Sequence, residues 1–337
     1  MAKTGVIGAG SWGCALADVL QRNGHQVTVW SILDEEVAML KKNHEHIDKL
    51  PGVKLSEQIV FTGNLEEACR GMDLLVLAAP SAFTRSVAKK MAPFIHENQI
   101  IVSVAKGIEE ESLMTLSDII KQEIPLADAA VLCGPSHAEE VGRRLPTTLV
   151  AGAKTRKTAE YMQSLFMNEV FRVYTSPDVL GMELGGALKN VIALAAGMAD
   201  GLGYGDNTKA ALITRGIAEI SRLAVSMGAN AKTLSGLTGM GDLIVTCASR
   251  HSRNRKAGML MGQGYTMQEA MDEVKMVVEG VYSAKAAVAL GQKYQVSMPI
   301  IEQVNKVLFQ NKPAKEAVLE LMLRDRKTEH SDLEWEM

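Results

Sequence analysis

Several things are scarce in this chain. Aromatic side chains make up 4% of its 337 residues, and there are only four cysteines and nine prolines. Neither sign of charge dominates, since 36 Lys and Arg against 39 Asp and Glu leave a formal charge of −3. Without a basic excess there is no electrostatic footprint for nucleic acid or an anionic membrane, so an anionic ligand must be caught by a local cationic site. Cys14, Cys69, Cys133 and Cys247 are isolated from one another, with no Cys-x-x-Cys or Cys/His spacing of a zinc site. They read as buried free thiols in a reducing compartment, and no metal is expected. No apolar stretch reaches about 18 residues without a polar interruption; Val191–Gly197 is too short, and Asp200 soon follows. The start of the chain runs into a strand without a charged-then-apolar leader. The expectation is a soluble, cytoplasmic protein with no membrane insertion.

What is present points to two domains, at about 150 residues each as a length prior. A strand over Lys3–Ile7 is followed by Gly8-Ala-Gly-Ser-Trp-Gly13, a helical pattern to Leu20 and a second strand, Gln26–Trp30. This is G-x-G-x-x-G between a strand and a helix. Gly8 permits the tight turn, Gly10 lets a pyrophosphate approach the backbone, and Gly13 packs helix on strand. The helix-start amides face the anion, which makes the loop a dinucleotide site. Trp12 reads as a shield over the cofactor. After the second strand an acid would bond a ribose 2′-hydroxyl and a base would bond a 2′-phosphate. The chain has Trp30-Ser-Ile-Leu33 there, while Asp34, Glu35 and Glu36 fit the first turn of the next helix. The choice between NAD and NADP stays open.

Further strands are expected at residues 59–61, 73–78, 100–104, 129–133, 148–151 and 170–174, with helices such as 82–91, 112–122 and 158–167 between them. The alternation predicts an α/β fold with a doubly wound, parallel Rossmann sheet. Ligands of such sheets sit beyond the strand ends, which singles out Lys106 and the Gly134-Pro-Ser136 turn. His137 reads as a structural or helix-capping residue.

From residue 178 the periodicity becomes helical throughout. The division is a dinucleotide-binding domain over 1–177, an all-α substrate domain over 178–325 and a polar tail over 326–337. The segment Glu183-Leu-Gly-Gly-Ala-Leu-Lys-Asn190 runs into Val191-Ile-Ala-Leu-Ala-Ala-Gly197. An ammonium in so apolar a helix is costly unless it is paired or used, and its pKa shifts easily. Lys189 is therefore the first candidate for chemistry. Asp242 follows a glycine turn, with Thr246 one helical turn on and on the same face; Asp242 reads as an N-cap, as a partner for chemistry, or as both. Ser252-Arg253-Asn254 just before a helix offers charge, neutral donors and free amides, a combination that suits phosphate.

With these residues assembled, the chain resembles the bacterial NAD(P)-dependent glycerol-3-phosphate dehydrogenase family. The ordered motifs are the glycine loop, Lys106-Gly-Ile-Glu, Gly134-Pro-Ser-His-Ala, Glu183–Asn190, Gly241-Asp-Leu, Ser252-Arg-Asn and Val278-Glu-Gly280. The resemblance implies Lys189 as the proton donor and acceptor. It implies substrate contacts from Lys106, Gly134, Ser136, Lys189, Asp242, Ser252, Arg253 and Asn254. It further implies cofactor contacts, beside Gly8, Gly10 and Gly13, from Ser11, Trp12, Lys106, Ala138, Arg253, Val277 and Glu279. The cofactor would be NAD or NADP, the substrate pair dihydroxyacetone phosphate and sn-glycerol 3-phosphate, the product a precursor of glycerophospholipids, and the assembly a homodimer. Ile32-Leu33 stand where many family members carry basic or His residues, a departure from a strong NADP preference. A β-hydroxyacid dehydrogenase is disfavoured because Lys189 is followed at once by Asn190 and residue 193 is alanine. A non-catalytic dinucleotide sensor would not need two lysines and a phosphate cluster together.

Overall fold

The computed structural model describes residues 1–326, 328 and 329. The tail expected from Arg326 onward lies almost wholly outside the described residues. Eight strands form one sheet: β1 (Lys3–Ile7), β2 (Gln26–Trp30), β3 (Val60–Thr62), β4 (Leu74–Leu77), β5 (Ile100–Ser103), β6 (Asp128–Cys133), β7 (Thr147–Gly152) and β8 (Phe171–Ser176). Their order across the sheet is β3-β2-β1-β4-β5-β6-β7-β8. The strand order reverses between β1 and β4, so a crevice opens beside the end of β1, where the glycine loop lies.

Helices α1 (Ser11–Arg22), α2 (Asp34–Asn43), α3 (Leu65–Cys69), α4 (Thr84–Met91), α5 (Leu116–Glu123), α6 (Ala138–Gly142) and α7 (Arg156–Phe166) run between the strands. All four residues of β4 are buried, as expected of a strand covered on both faces. The sheet departs from all-parallel at one place, where β6 and β7 pair antiparallel. Residues 134–146 hold the five-residue α6, and after it the chain runs back along β6 in the opposite direction. α5 also begins at Leu116, four residues later than the apolar pattern suggested. Leu113 takes a left-handed φ of 60°, and a bridge from Ile108 to Thr115 closes a tight turn ahead of the helix.

The second half is helical: α8 (Val179–Gly201), α9 (Asp206–Ser226), α10 (Ala231–Leu234), α11 (Asp242–Ala248), α12 (Arg253–Gly262), α13 (Met267–Val274), α14 (Glu279–Lys293), α15 (Pro299–Phe309) and α16 (Ala314–Met322). Asp178 caps the start of α8, its carboxylate accepting the Gly181 amide at 3.0 Å. By length and mean hydropathy, 1.4 over its best window, α8 could cross a membrane, contrary to the reading from its interruptions. Some 89% of that window is buried inside the fold, so α8 is the axis of a protein core.

The close seat of α12 on α8 comes from glycines. A Cβ at Gly258 would run into the Leu194 carbonyl, and one at Gly197 into the Arg255 carbonyl. Small residues facing each other let two helix backbones approach closely, as they do in tightly packed helix pairs. The consequence is positional. The start of α12, with Ser252, Arg253 and Asn254, is pinned against the stretch of α8 that carries Lys189 and Asn190.

Candidate active site

One cleft of about 800 Å³ runs between the ends of the strands and the helices of the second half. Its floor at one end is the loop after β1. Gly8 has φ +119° with the Ala78 carbonyl carbon 2.9 Å from where a Cβ would sit, so only glycine fits the turn. Gly13 packs α1 onto the Gly8 carbonyl and does not face the cleft. Gly10 is different: a Cβ there would meet no protein atom within 4 Å. The protein itself does not require that glycine, whereas a pyrophosphate laid on the amides at the start of α1 does. The loop therefore fits a dinucleotide. Ser11 and Trp12 line the same wall.

At the other end two lysines share one carboxylate. Lys189 Nζ donates to Asp242 Oδ1 and, at 2.6 Å, to Thr246 Oγ1. Lys106 Nζ donates to Asp242 Oδ2 at 2.6 Å and to the Gly134 carbonyl at 2.9 Å. The glycines ahead of Lys189 make this convergence possible. A Cβ at Gly186 would sit 2.9 Å from Cys133 Sγ and 3.5 Å from Lys106 Cγ, so a side chain there would push the Lys106 stem away. Asn190 fixes the same strand end by donating to the Lys106 carbonyl at 3.2 Å.

The two ammoniums are not equivalent. Burial brings the Lys189 pKa down to about 8, with Lys106 helping and Asp242 opposing. Burial also opposes charge on Lys106, but the Asp242 carboxylate outweighs it and holds the pKa above the ordinary value. Burial would raise the Asp242 pKa, yet the two ammoniums outweigh it and keep the carboxylate ionised. The triad thus carries one fixed cation and one amine near neutrality. Pairs pushed apart in this way mark acid–base sites.

Asp242 is only 1% exposed and lies beneath the cleft wall, touching the cavity through the lysines. It caps no helix with its side chain; it follows a π-helical turn, Leu237–Gly241, that delivers it to the lysines. Gly134 lies behind Lys106, and Ser136, whose hydroxyl donates to the Gly134 carbonyl at 3.0 Å, lines the cleft. Ala138, Val277 and Glu279 line it too. Glu279 accepts from the Ser81 amide at 3.0 Å and from the Ser81 hydroxyl, tying the start of α14 to the turn after β4. Glu183 plays a similar part, its buried carboxylate accepting from the Ser117 amide at 2.8 Å and hydroxyl at 2.6 Å on α5.

At the start of α12 the three candidates differ. The Ser252 hydroxyl oxygen accepts the Arg255 amide at 3.2 Å and keeps its own proton for a ligand. Asn254 Nδ2 donates to Asn190 Oδ1 at 3.0 Å, while its Oδ1 accepts the Gly280 amide at 2.9 Å. Arg253 is exposed on the cleft wall. The cluster is thus one cation beside first-turn amides, stiffened by an asparagine pair.

Four features escaped the residue-level reading. Thr246 and Asn190 sit beside candidate residues in the sequence, but their bonds to Lys189 and to the Lys106 carbonyl join residues far apart along the chain. The ring of His137 caps nothing; its Nε2 is buried without a partner and the ring lies 5.9 Å from that of His251. Glu36 also does more than start a helix. Its carboxylate folds back to the end of β2, accepting from Ser31 Oγ, from His46 Nε2 at 2.7 Å and from Lys49 Nζ at 2.6 Å. The buried acid at Glu36 is held by His46 and Lys49, ten and thirteen residues further on, which the local helix-start pattern does not show.

Residues 3–159 match the family model for the N-terminus of NAD-dependent glycerol-3-phosphate dehydrogenase, and residues 178–319 match the model for its C-terminus. The glycerol-3-phosphate dehydrogenase [NAD(P)+] of Agathobacter rectalis is 75% identical over 335 residues, covering 99% of this chain and all of that protein. That of Fusobacterium nucleatum is 60% identical, covering 98% and 99%. The crystal structure of glycerol-3-phosphate dehydrogenase from Coxiella burnetii superposes with a TM-score of 0.93 at 34% identity, covering 96% of this chain and 99% of that one. On both its halves and over nearly its whole length, the chain belongs to the NAD-dependent glycerol-3-phosphate dehydrogenase family.

Proposed function

We propose that this protein interconverts dihydroxyacetone phosphate and sn-glycerol 3-phosphate with NAD(P), supplying glycerol 3-phosphate for glycerophospholipid synthesis in the cytoplasm. Residues 1–177 serve as the dinucleotide-binding domain and 178–325 as the substrate domain, in a homodimer. The observation that carries the reading is the Lys189–Asp242–Lys106 triad on the same cleft as the glycine loop. A bound nicotinamide supplies or accepts the hydride.

The chain's own residues do the rest. The Arg253 guanidinium, the Ser252 hydroxyl and the free amides opening α12 hold the substrate phosphate, so binding energy remote from the reacting carbon positions it. Lys106, firmly charged, faces the ketone oxygen and stabilises the negative charge that grows there. Lys189 gives that oxygen a proton in the reducing direction and removes one from the hydroxyl in the oxidising direction. Asp242 and Thr246 aim the Lys189 amine, and Asp242 keeps the two cations together despite their repulsion. The Gly134-Pro-Ser136 turn and Ala138 border the reacting carbons, while Val277 and Glu279 close over the cofactor side.

Mixing the protein with NADH or NADPH and dihydroxyacetone phosphate, and following loss of the reduced-nicotinamide absorbance, tests this directly. Turnover with that ketone is expected; no turnover with either cofactor would refute the reading. Light scattering should give a mass near twice that of one chain.

A further inference from the structure

The end of β2 holds a charged cluster that bears on which dinucleotide is accepted. Ser31, Glu36 and Lys49 line the cleft beyond that strand, where the adenosine ribose of a dinucleotide lies in folds of this kind. The hydrogen bonds fix the protonation of the cluster. The Lys49 amide donates to His46 Nδ1 at 3.2 Å, so His46 is neutral with its proton on Nε2, which donates to Glu36 Oε1. Glu36 stays ionised: burial opposes this, but donors from His46, Lys49 and Ser31 bring its pKa to about 2. The cluster is therefore neutral overall, one carboxylate against one ammonium.

Its two charges differ in freedom. Glu36 is buried and engaged on both oxygens, Oε2 by Ser31 and Oε1 jointly by His46 and Lys49. If Lys49 leaves, each oxygen still has a donor, so no buried acceptor is orphaned. The Lys49 side chain is 37% exposed, and a lysine head rides on a four-carbon stem with several rotatable bonds. Its ammonium makes a single bond, to Glu36, and is partly solvated, so a phosphate placed beside it can compete for it.

We propose that Lys49 is a movable cation that reads the adenosine 2′-phosphate. It stays on Glu36 when the ribose carries a 2′-hydroxyl and swings to the phosphate when there is one. The chain thereby accepts either dinucleotide without an arginine after β2, and Glu36 sets the balance by competing for the same ammonium. This rests on the dinucleotide site proposed above.

The test is binding without turnover. NADH and NADPH are titrated against the wild type, Lys49→Met and Glu36→Gln, following the fluorescence of Trp12 and Trp30, both of which line the cleft. Adenosine 2′,5′-bisphosphate and adenosine 5′-monophosphate serve as competitors that lack the nicotinamide. Loss of one charge-assisted contact should weaken NADPH and the bisphosphate by about 10- to 100-fold in Lys49→Met. NADH and the monophosphate should stay within about twofold in that variant. Glu36→Gln should strengthen NADPH relative to NADH, and thermal melting confirms that each variant is folded. Equal weakening of both dinucleotides by Lys49→Met, or no change in NADPH, overturns the role of Lys49 while leaving the dehydrogenase reading intact. A wild type that binds neither dinucleotide overturns both.

Discussion

The glycine loop after β1 and the lysine pocket on α8 line one cleft but are built from different materials. The loop works through backbone amides and the lack of side chains at Gly8, Gly10 and Gly13; nothing in it titrates. The pocket works through three charged side chains that bond one another, from Lys106 after β5, Lys189 in α8 and Asp242 at the start of α11. The loop occupies six consecutive residues, whereas the pocket spans separations of 53 and 136 residues. One end can therefore bind its ligand at any moderate pH, while the other gains or loses function with a single proton.

Substitutions should separate the two ends cleanly. Lys189→Ala should lower kcat by about a thousandfold, the scale of a lost general acid and its charge, with NADH affinity by fluorescence titration unchanged. A parallel loss of NADH binding would erase the division of labour. Asp242→Ala leaves the buried Lys189 ammonium and its partly buried neighbour Lys106 without a counter-ion and should cost roughly 3–5 kcal/mol of stability, read by urea unfolding. Arg253→Ala should raise KM for dihydroxyacetone phosphate by about 10- to 100-fold, more than it changes kcat, because a charge-assisted phosphate contact is lost. Gly258→Ala forces α12 off α8 and should destabilise by about 1–3 kcal/mol, visible as a lower melting temperature. Because α12 carries the phosphate contacts, that variant should raise KM as well.

The same contrast explains what could be read from the residues in order. All eight strands, the turn at Gly8–Gly13 and the change to helices near residue 178 are local patterns of period and turn chemistry, and they are legible. Lys189 stood out because an ammonium in a Val/Ile/Leu/Ala helix needs a reason to be there. Its partners were less legible. Thr246 and Asp242 reach it only after a π-helical turn redirects the chain, and Glu36 gains His46 and Lys49 only because residues 46–49 return to the start of α2. The antiparallel direction of β7 is not recorded in strand propensity, which reads the same for either direction. The roles of Gly185 and Gly186 emerge only in three dimensions, where they give Thr238, Cys133 and Lys106 room beside α8.

The central claim is that the Lys189 amine, with its pKa brought down to about 8, trades a proton with the substrate oxygen. The pH dependence of kcat/KM for glycerol 3-phosphate oxidation tests it most directly, since that parameter reports the free enzyme. The neutral amine is the base in this direction, so the rate should rise about tenfold per pH unit up to about pH 8 and level off above it. Dihydroxyacetone phosphate reduction, which needs the ammonium, should fall over the same range. Profiles flat from pH 7 to 9.5 in both directions would contradict it.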